Sequence, residues 1–137
     1  MRPCACVLLA VACAAPAAAE DRRLVGEWKA VSYQIAGVDH PMEGLFIFTP
    51  GFYSANVRFN LTGNPIDDAN GNAGPYVADG RQIVFTQWVQ VHVRPGDAKE
   101  PILSRRGPDE ATAYAIDGKR LILTFPSKNR YILERLP

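Results

Sequence analysis

The chain has 137 residues, of which 47% are hydrophobic, with 15 basic and 14 acidic side chains and a formal net charge of +1. That length suits one domain. The charges alternate in sign and form no block, which excludes the basic face that nucleic acid needs and the polybasic segment that an anionic membrane surface needs.

Residues 1–19 read as an export signal. Arg2 gives a positive start, Cys4 to Cys13 is an apolar run too short to span a bilayer, and Ala17-Ala18-Ala19 is a small-residue cleavage pattern before Glu20. The mature domain is then residues 20–137, periplasmic or secreted. Ala10-Val11-Ala12-Cys13 loosely resembles the box before a lipidated bacterial cysteine, so a lipid anchor through Cys13 is the alternative. Cys4, Cys6 and Cys13 all lie in this segment. A mature chain without cysteine has no disulfide, no thiol nucleophile and no thiolate metal ligand, and must stand on its core alone.

Glu20 to Arg23 is a charged lead-in, at most one helical turn. Leu24 to Ile35 is the first strand; Gly26 and Trp28 point the same way along it, since side chains alternate. A glycine there lets the backbone bend or approach a neighbour, and an indole at a strand entrance can plug a barrel, with an arginine from the closing strand over its face. Ala36 to Pro41 reads as a turn-rich connection. Leu45 to Thr49 is a short strand, Pro50-Gly51 a turn, and Tyr53 to Asn60 a half-buried strand with Tyr53, Ala55, Val57 and Phe59 on one face.

Gly63 to Gly74 is so rich in Gly, Asn, Asp and Pro that it reads as an exposed, mobile loop. Pro75 to Ala78 is a brief strand and Asp79-Gly80 a hairpin turn. Gln82 to Val93 is the longest β-type run. Unbroken alternation puts Ile83, Phe85, Val89, Val91 and Val93 on one face with Gln87, and Trp88, Gln90 and His92 on the other. A run of this length often bends at a bulge or serves two neighbours. Pro101–Arg105, Ala111–Ile116, Leu121–Phe125 and Arg130–Leu136 are further strands. Short strands at close spacing with no helical period make an all-β barrel or sandwich.

The opening Leu24-Val25-Gly26-Glu27-Trp28, the segment Gly44-Leu45-Phe46-Ile47-Phe48-Thr49-Pro50-Gly51-Phe52-Tyr53-Ser54-Ala55, and the close Asp117-Gly118-Lys119-Arg120-Leu121-Ile122-Leu123 with Leu133-Glu134-Arg135 resemble bacterial lipocalin-like domains. The resemblance implies a closed, up-and-down antiparallel β-barrel of about eight strands, with Arg135 as the arginine over Trp28. Many such domains carry a His near the start of the middle strand, where this chain has Phe85 or Thr86; its own His92 comes later.

A barrel of this size is filled by side chains or holds one small ligand. Tyr53, Phe59, Phe85, Trp88 and Tyr114 are the aromatic candidates to line a cavity, with His92 as a polar partner. With His40 and His92 alone and far apart, no zinc site is expected. Asp68 to Asn72 lacks the glycine position and flanking helices of a calcium loop. No nucleophile elbow is present, and a general acid–base role for His92 with Asp97 or Glu100 has nothing in its spacing to mark it out from a surface pair. The expected function is an exported, monomeric barrel that binds a small hydrophobic or amphipathic ligand without a cofactor. The alternatives are a small isomerase- or cyclase-type barrel enzyme and a filled-barrel envelope interaction module.

Overall fold

Short turns and alternating apolar residues set most of the described chain into strands. The computed structural model describes residues 21–61, 63, 68–93, 102–104 and 110–137. The predicted signal at residues 1–19 lies outside them, as do Asp97 and Glu100. The strands are β1 (Gly26–Ile35), β2 (Val38–Thr49), β3 (Phe52–Phe59), β4 (Asp68–Ala78), β5 (Gln82–Phe85), β6 (Val89–Val93), β7 (Ile102–Ser104), β8 (Glu110–Asp117), β9 (Arg120–Thr124) and β10 (Arg130–Arg135). Among the described residues there is no helix, and so none long and apolar enough to cross a membrane.

Every pairing is antiparallel. β1 lies between β2 and β10, and the β3–β4 pairing shuts the ring, so that β1, β2, β3, β4, β5, β8, β9 and β10 form a closed eight-stranded wall. Each strand lies beside its neighbour in sequence except at the step from β5 to β8, where β6 and β7 prolong that pair beyond the ring. This is the expected up-and-down barrel, and it is compatible with a calycin-like architecture. Closure leaves the ring no free edge.

The interior is packed with rings. Trp28, Phe48, Leu24, Ile83, Leu121, Leu123 and Leu133 are essentially inaccessible. Above them Tyr53 meets Phe85 with ring centroids 4.6 Å apart, and Phe48 meets Tyr76 at 5.3 Å. At the far end Tyr33 packs on Phe59 at 5.1 Å and on Tyr131 at 4.9 Å. Burying a large apolar side chain contributes about 1.5–3 kcal/mol, so this column of rings supplies much of the stability of a chain without disulfides.

Two segments differ from the sequence reading. The connection predicted over Ala36 to Pro41 shrinks to a turn at Ala36-Gly37, both with positive φ (48° and 83°), and β2 begins at Val38. Two left-handed residues match the twist of the flanking strands and make the tightest hairpin. The larger difference is β4. Asp68 to Gly74, predicted as part of a mobile loop, is strand, because β3 pairs with one edge (Phe59↔Asp68 to Phe52↔Pro75) and β6 with the other (Ala69↔Val93 to Ala73↔Val89). Neighbours on both edges override the poor strand preference of Gly and Asn.

Candidate ligand-binding site

β4 decides where the site lies. Its outer edge pairs first with β5 (Tyr76↔Phe85, Ala78↔Ile83) and then with β6 (Ala73↔Val89, Gly71↔Val91, Ala69↔Val93). Between these blocks Thr86, Gln87 and Trp88 stand opposite only Gly74 and Pro75, which is a bulge of one residue. Thr86 N–H donates to Pro75 O (3.0 Å) and Trp88 N–H to Ala73 O (2.9 Å), so the bulge is tied down on both sides. A Cβ on Gly74 would stand 1.9 Å from Thr86 O, so only glycine admits the bulge at this place.

One surplus residue turns over every side chain after it. Ile83 and Phe85 point into the barrel and are buried, yet Val89 and Val93 are 46% and 37% exposed on the outer face. The single apolar face predicted for Gln82 to Val93 is thus two half-faces on opposite sides of the wall. Gln90 and His92 take the inward positions, in register with Asn72 and Asn70.

Outside, the result is an open trough of about 670 Å³. Its floor is Ala69, Gly71 and Ala73 of β4. Val89, Val91 and Val93 form one wall and Ser54, Asn56 and Arg58 the other, with Glu43 beside Arg58. Pairs such as Arg58↔Ala69 and Ser54↔Ala73 run its length, about 13 Å at strand rise. At one end Arg58 donates through Nε (3.0 Å) and Nη2 to the same Glu43 oxygen. At the other, Phe52 of β3 and Trp88 of the bulge lean toward each other over β4, ring centroids 5.4 Å apart. Glu43 and Arg58 are the titratable residues of this lining, and they are paired with each other. Among the described residues no three of His, Cys, Asp or Glu converge as a metal site would require.

On the inner side, β4 and β6 present polar residues, Asn70, Asn72, Gln90 and His92, toward the apolar face of β3. Asn70 Oδ1 and Asn72 Oδ1 are buried without a hydrogen-bond partner in the structure, beside Val57 and Ala55 of β3. Burying an acceptor unpaired costs about 1–3 kcal/mol, so water or a ligand donor is the natural complement there.

No protein family, no curated protein and no solved structure matches the chain significantly.

The structure brings Tyr53 and Phe85 together and sets the other predicted site residues apart from them. Tyr53 and Phe85 are core residues packed on each other, and Phe59 lies against Tyr33 at the far end. His92 shares the inward face with Asn70, whereas Trp88, expected on the same face as His92, is 52% exposed outside because the bulge separates them. Tyr114 belongs to the Trp28 end. Sequence reasoning missed Ala69, Gly71 and Ala73, which lie in a stretch with the composition of a loop; Val89, Val91 and Val93 repeat with the period of a strand, but strict alternation groups them on one face with Ile83 and Phe85.

At the Trp28 end, Trp28 Nε1 donates to Leu24 O at 2.8 Å. The Arg135 guanidinium carbon lies 4.1 Å from the centre of the indole. Its Nη1 donates to Val25 O at 3.0 Å and its Nη2 to Arg23 O. Gly26 has φ of 134°, and a Cβ there would sit 2.7 Å from Arg135 Nη1. Arg135→Ala removes a cation–π contact and leaves two carbonyls without this donor, so urea melts should show a loss of about 2–3 kcal/mol; an unchanged midpoint would show that the guanidinium only covers the indole.

Below it, Tyr114 OH donates to Asp21 Oδ2 at 2.6 Å, and Arg23 Nε and Nη2 donate to the same carboxylate at 2.9 and 2.7 Å. The Arg23 hydrogen bonds hold Asp21 well below the usual carboxylate range, with Tyr114 adding to the effect, while burial and then the Asp21 bond push Tyr114 up to about 12 from 10.0. A depressed carboxylate stabilises the fold above its ordinary pKa near 3.8 and loses that contribution as pH falls. A raised phenol stabilises below pH 10.0 and loses its contribution as pH climbs to about 12. Stability should therefore decline on both limbs. Tyr114→Phe should flatten the alkaline one, which melting curves between pH 9 and pH 12 would register.

Proposed function

We propose that the protein is an exported, lipocalin-like barrel that binds a small hydrophobic or amphipathic molecule, and that it does so in the outer trough. The observation that carries this reading is the trough itself. Its volume of about 670 Å³ falls within the range of small-ligand sites, with one wall of valines, a facing wall of Ser54, Asn56 and Arg58, and an ion pair at one end. The barrel interior supports it by contrast: its rings pack on one another, Tyr53 on Phe85 and Phe48 on Tyr76. Export rests on residues 1–19, and the lipocalin-like assignment on the opening, middle and closing motifs together with the closed eight-stranded ring.

The test is binding by the purified mature domain. Trp28 is buried, so ligand-induced changes in tryptophan emission report on Trp88 at the end of the trough. Titration with an apolar probe such as 1-anilinonaphthalene-8-sulfonate should be saturable, should alter Trp88 emission and should raise the melting temperature by mass action. A flat titration with an unmoved melting temperature would refute the ligand reading. Intact-mass measurement of the protein from its exporting host should give a chain starting at Glu20; an added diacyl mass on Cys13 would shift the assignment to a lipid-anchored form.

One observation favours a second reading, a filled-barrel module that docks another protein. Exposed apolar surface continues past the trough through Phe52, Trp88, Val77 and Val84, which are 48%, 52%, 55% and 38% exposed.

A further inference from the structure

We infer that the trough takes a linear alkyl amphiphile, tail first, and that the Phe52–Trp88 pair sets the longest tail it accepts. This rests on the reading of the trough as the ligand site. The geometry is that of a channel for one chain. β3 and β6 stand two strand spacings apart, roughly 9.6 Å between axes, over a floor on which Ala69, Gly71 and Ala73 offer nothing larger than a methyl. A chain lying along the strands meets valine methyls on one side for the full length. A branched or fused-ring ligand would meet them over a shorter stretch and bind more weakly.

The two ends differ in kind, which gives the ligand a direction. One end holds the Arg58–Glu43 ion pair, exposed and able to bond a polar head. Past the other, just beyond Ser54 and Val89 along the chain, the rings of Phe52 and Trp88 meet over β4 and form the bar. Beyond the bar, apolar surface resumes at Val77, which pairs with Val84. The bar is therefore a stop placed in the middle of a longer apolar strip rather than the place where the strip ends. Removing one ring would join the two parts and lengthen the seat.

The experiment compares wild type, Trp88→Ala and Phe52→Ala against octanoate, decanoate, dodecanoate, tetradecanoate and hexadecanoate, each below its micelle concentration, by isothermal titration calorimetry. Both rings are about half exposed, so the variants are expected to fold, and circular dichroism melts check this. In wild type, affinity should rise about fourfold per added methylene and then level off or fall at one tail length. In both variants that break should move to a longer tail. A third variant, Trp88→Ala with Val84→Ser, should pull it back. If wild type binds the series and the break stays at the same length in both single variants, the stop is elsewhere and the inference fails while the trough reading stands. If wild type binds no member of the series but does bind the aromatic probe, the alkyl assignment fails. If it binds neither, the trough reading itself is overturned.

Discussion

Replacing Gly74 with alanine is expected to destabilise the protein by roughly 3–5 kcal/mol. The new methyl would stand 1.9 Å from Thr86 O and 3.0 Å from Trp88 N, both backbone atoms that cannot swing aside. Relief requires the bulge to lift off β4, which breaks the bonds from Thr86 N to Pro75 O and from Trp88 N to Ala73 O. A small domain has about 5–15 kcal/mol of stability in all, so the loss is a large share of it. The melting temperature should fall by on the order of 10–20 °C. The residual folded protein should also bind its ligand poorly, because Trp88 would have left the end of the trough. A melting temperature within about 2 °C of wild type would mean that the bulge is not seated on Gly74 as described.

The second large effect is on binding alone. Gly71 lies at the centre of the trough floor in extended backbone, where a Cβ would meet only Asn56 Oδ1 at 3.0 Å, a side-chain atom free to move, and Val91 Cβ at 3.9 Å. Gly71→Leu therefore inserts a branched side chain into the seat without straining the strand. Affinity for any trough ligand should drop at least tenfold. Stability should hold or rise by up to about 1 kcal/mol, since a strand glycine is entropically costly. That opposite pair of outcomes separates a blocked site from a damaged fold. Unchanged affinity in a folded Gly71→Leu protein would place the ligand elsewhere, and the unpaired Asn70 and Asn72 oxygens on the inner face would be the next position to probe.

Much of the fold was legible because its information is local. Alternation over Tyr53 to Phe59, the turn at Asp79-Gly80 and the β-rich runs near the end each name a strand without reference to the others. The pairing of the first strand with the last, Trp28↔Arg135 through Gln34↔Arg130, followed from closing such strands into a ring. What was not legible depends on neighbours. The segment Asp68 to Gly74 has the composition of a loop, and nothing within it says that strands will pair with both of its edges. The sidedness of Gln82 to Val93 was misread for a related reason. A bulge was foreseeable from length, but its position was fixed by Gly74, a residue on another strand. Moving the inversion to Thr86–Trp88 moves three valines from the core to the surface, and with them the site.

That surplus residue makes the protein's inside and outside interchangeable at one place. If the bulge were ironed out with no residue removed, strict alternation from Phe85 would carry the three valines into the barrel and turn the glutamine and histidine to water, whereas deleting one codon between Phe85 and Val89 would abolish the bulge and leave the valines outside. The seat that holds the bulge, rather than the length of the segment, thus decides which side of the wall carries the valines.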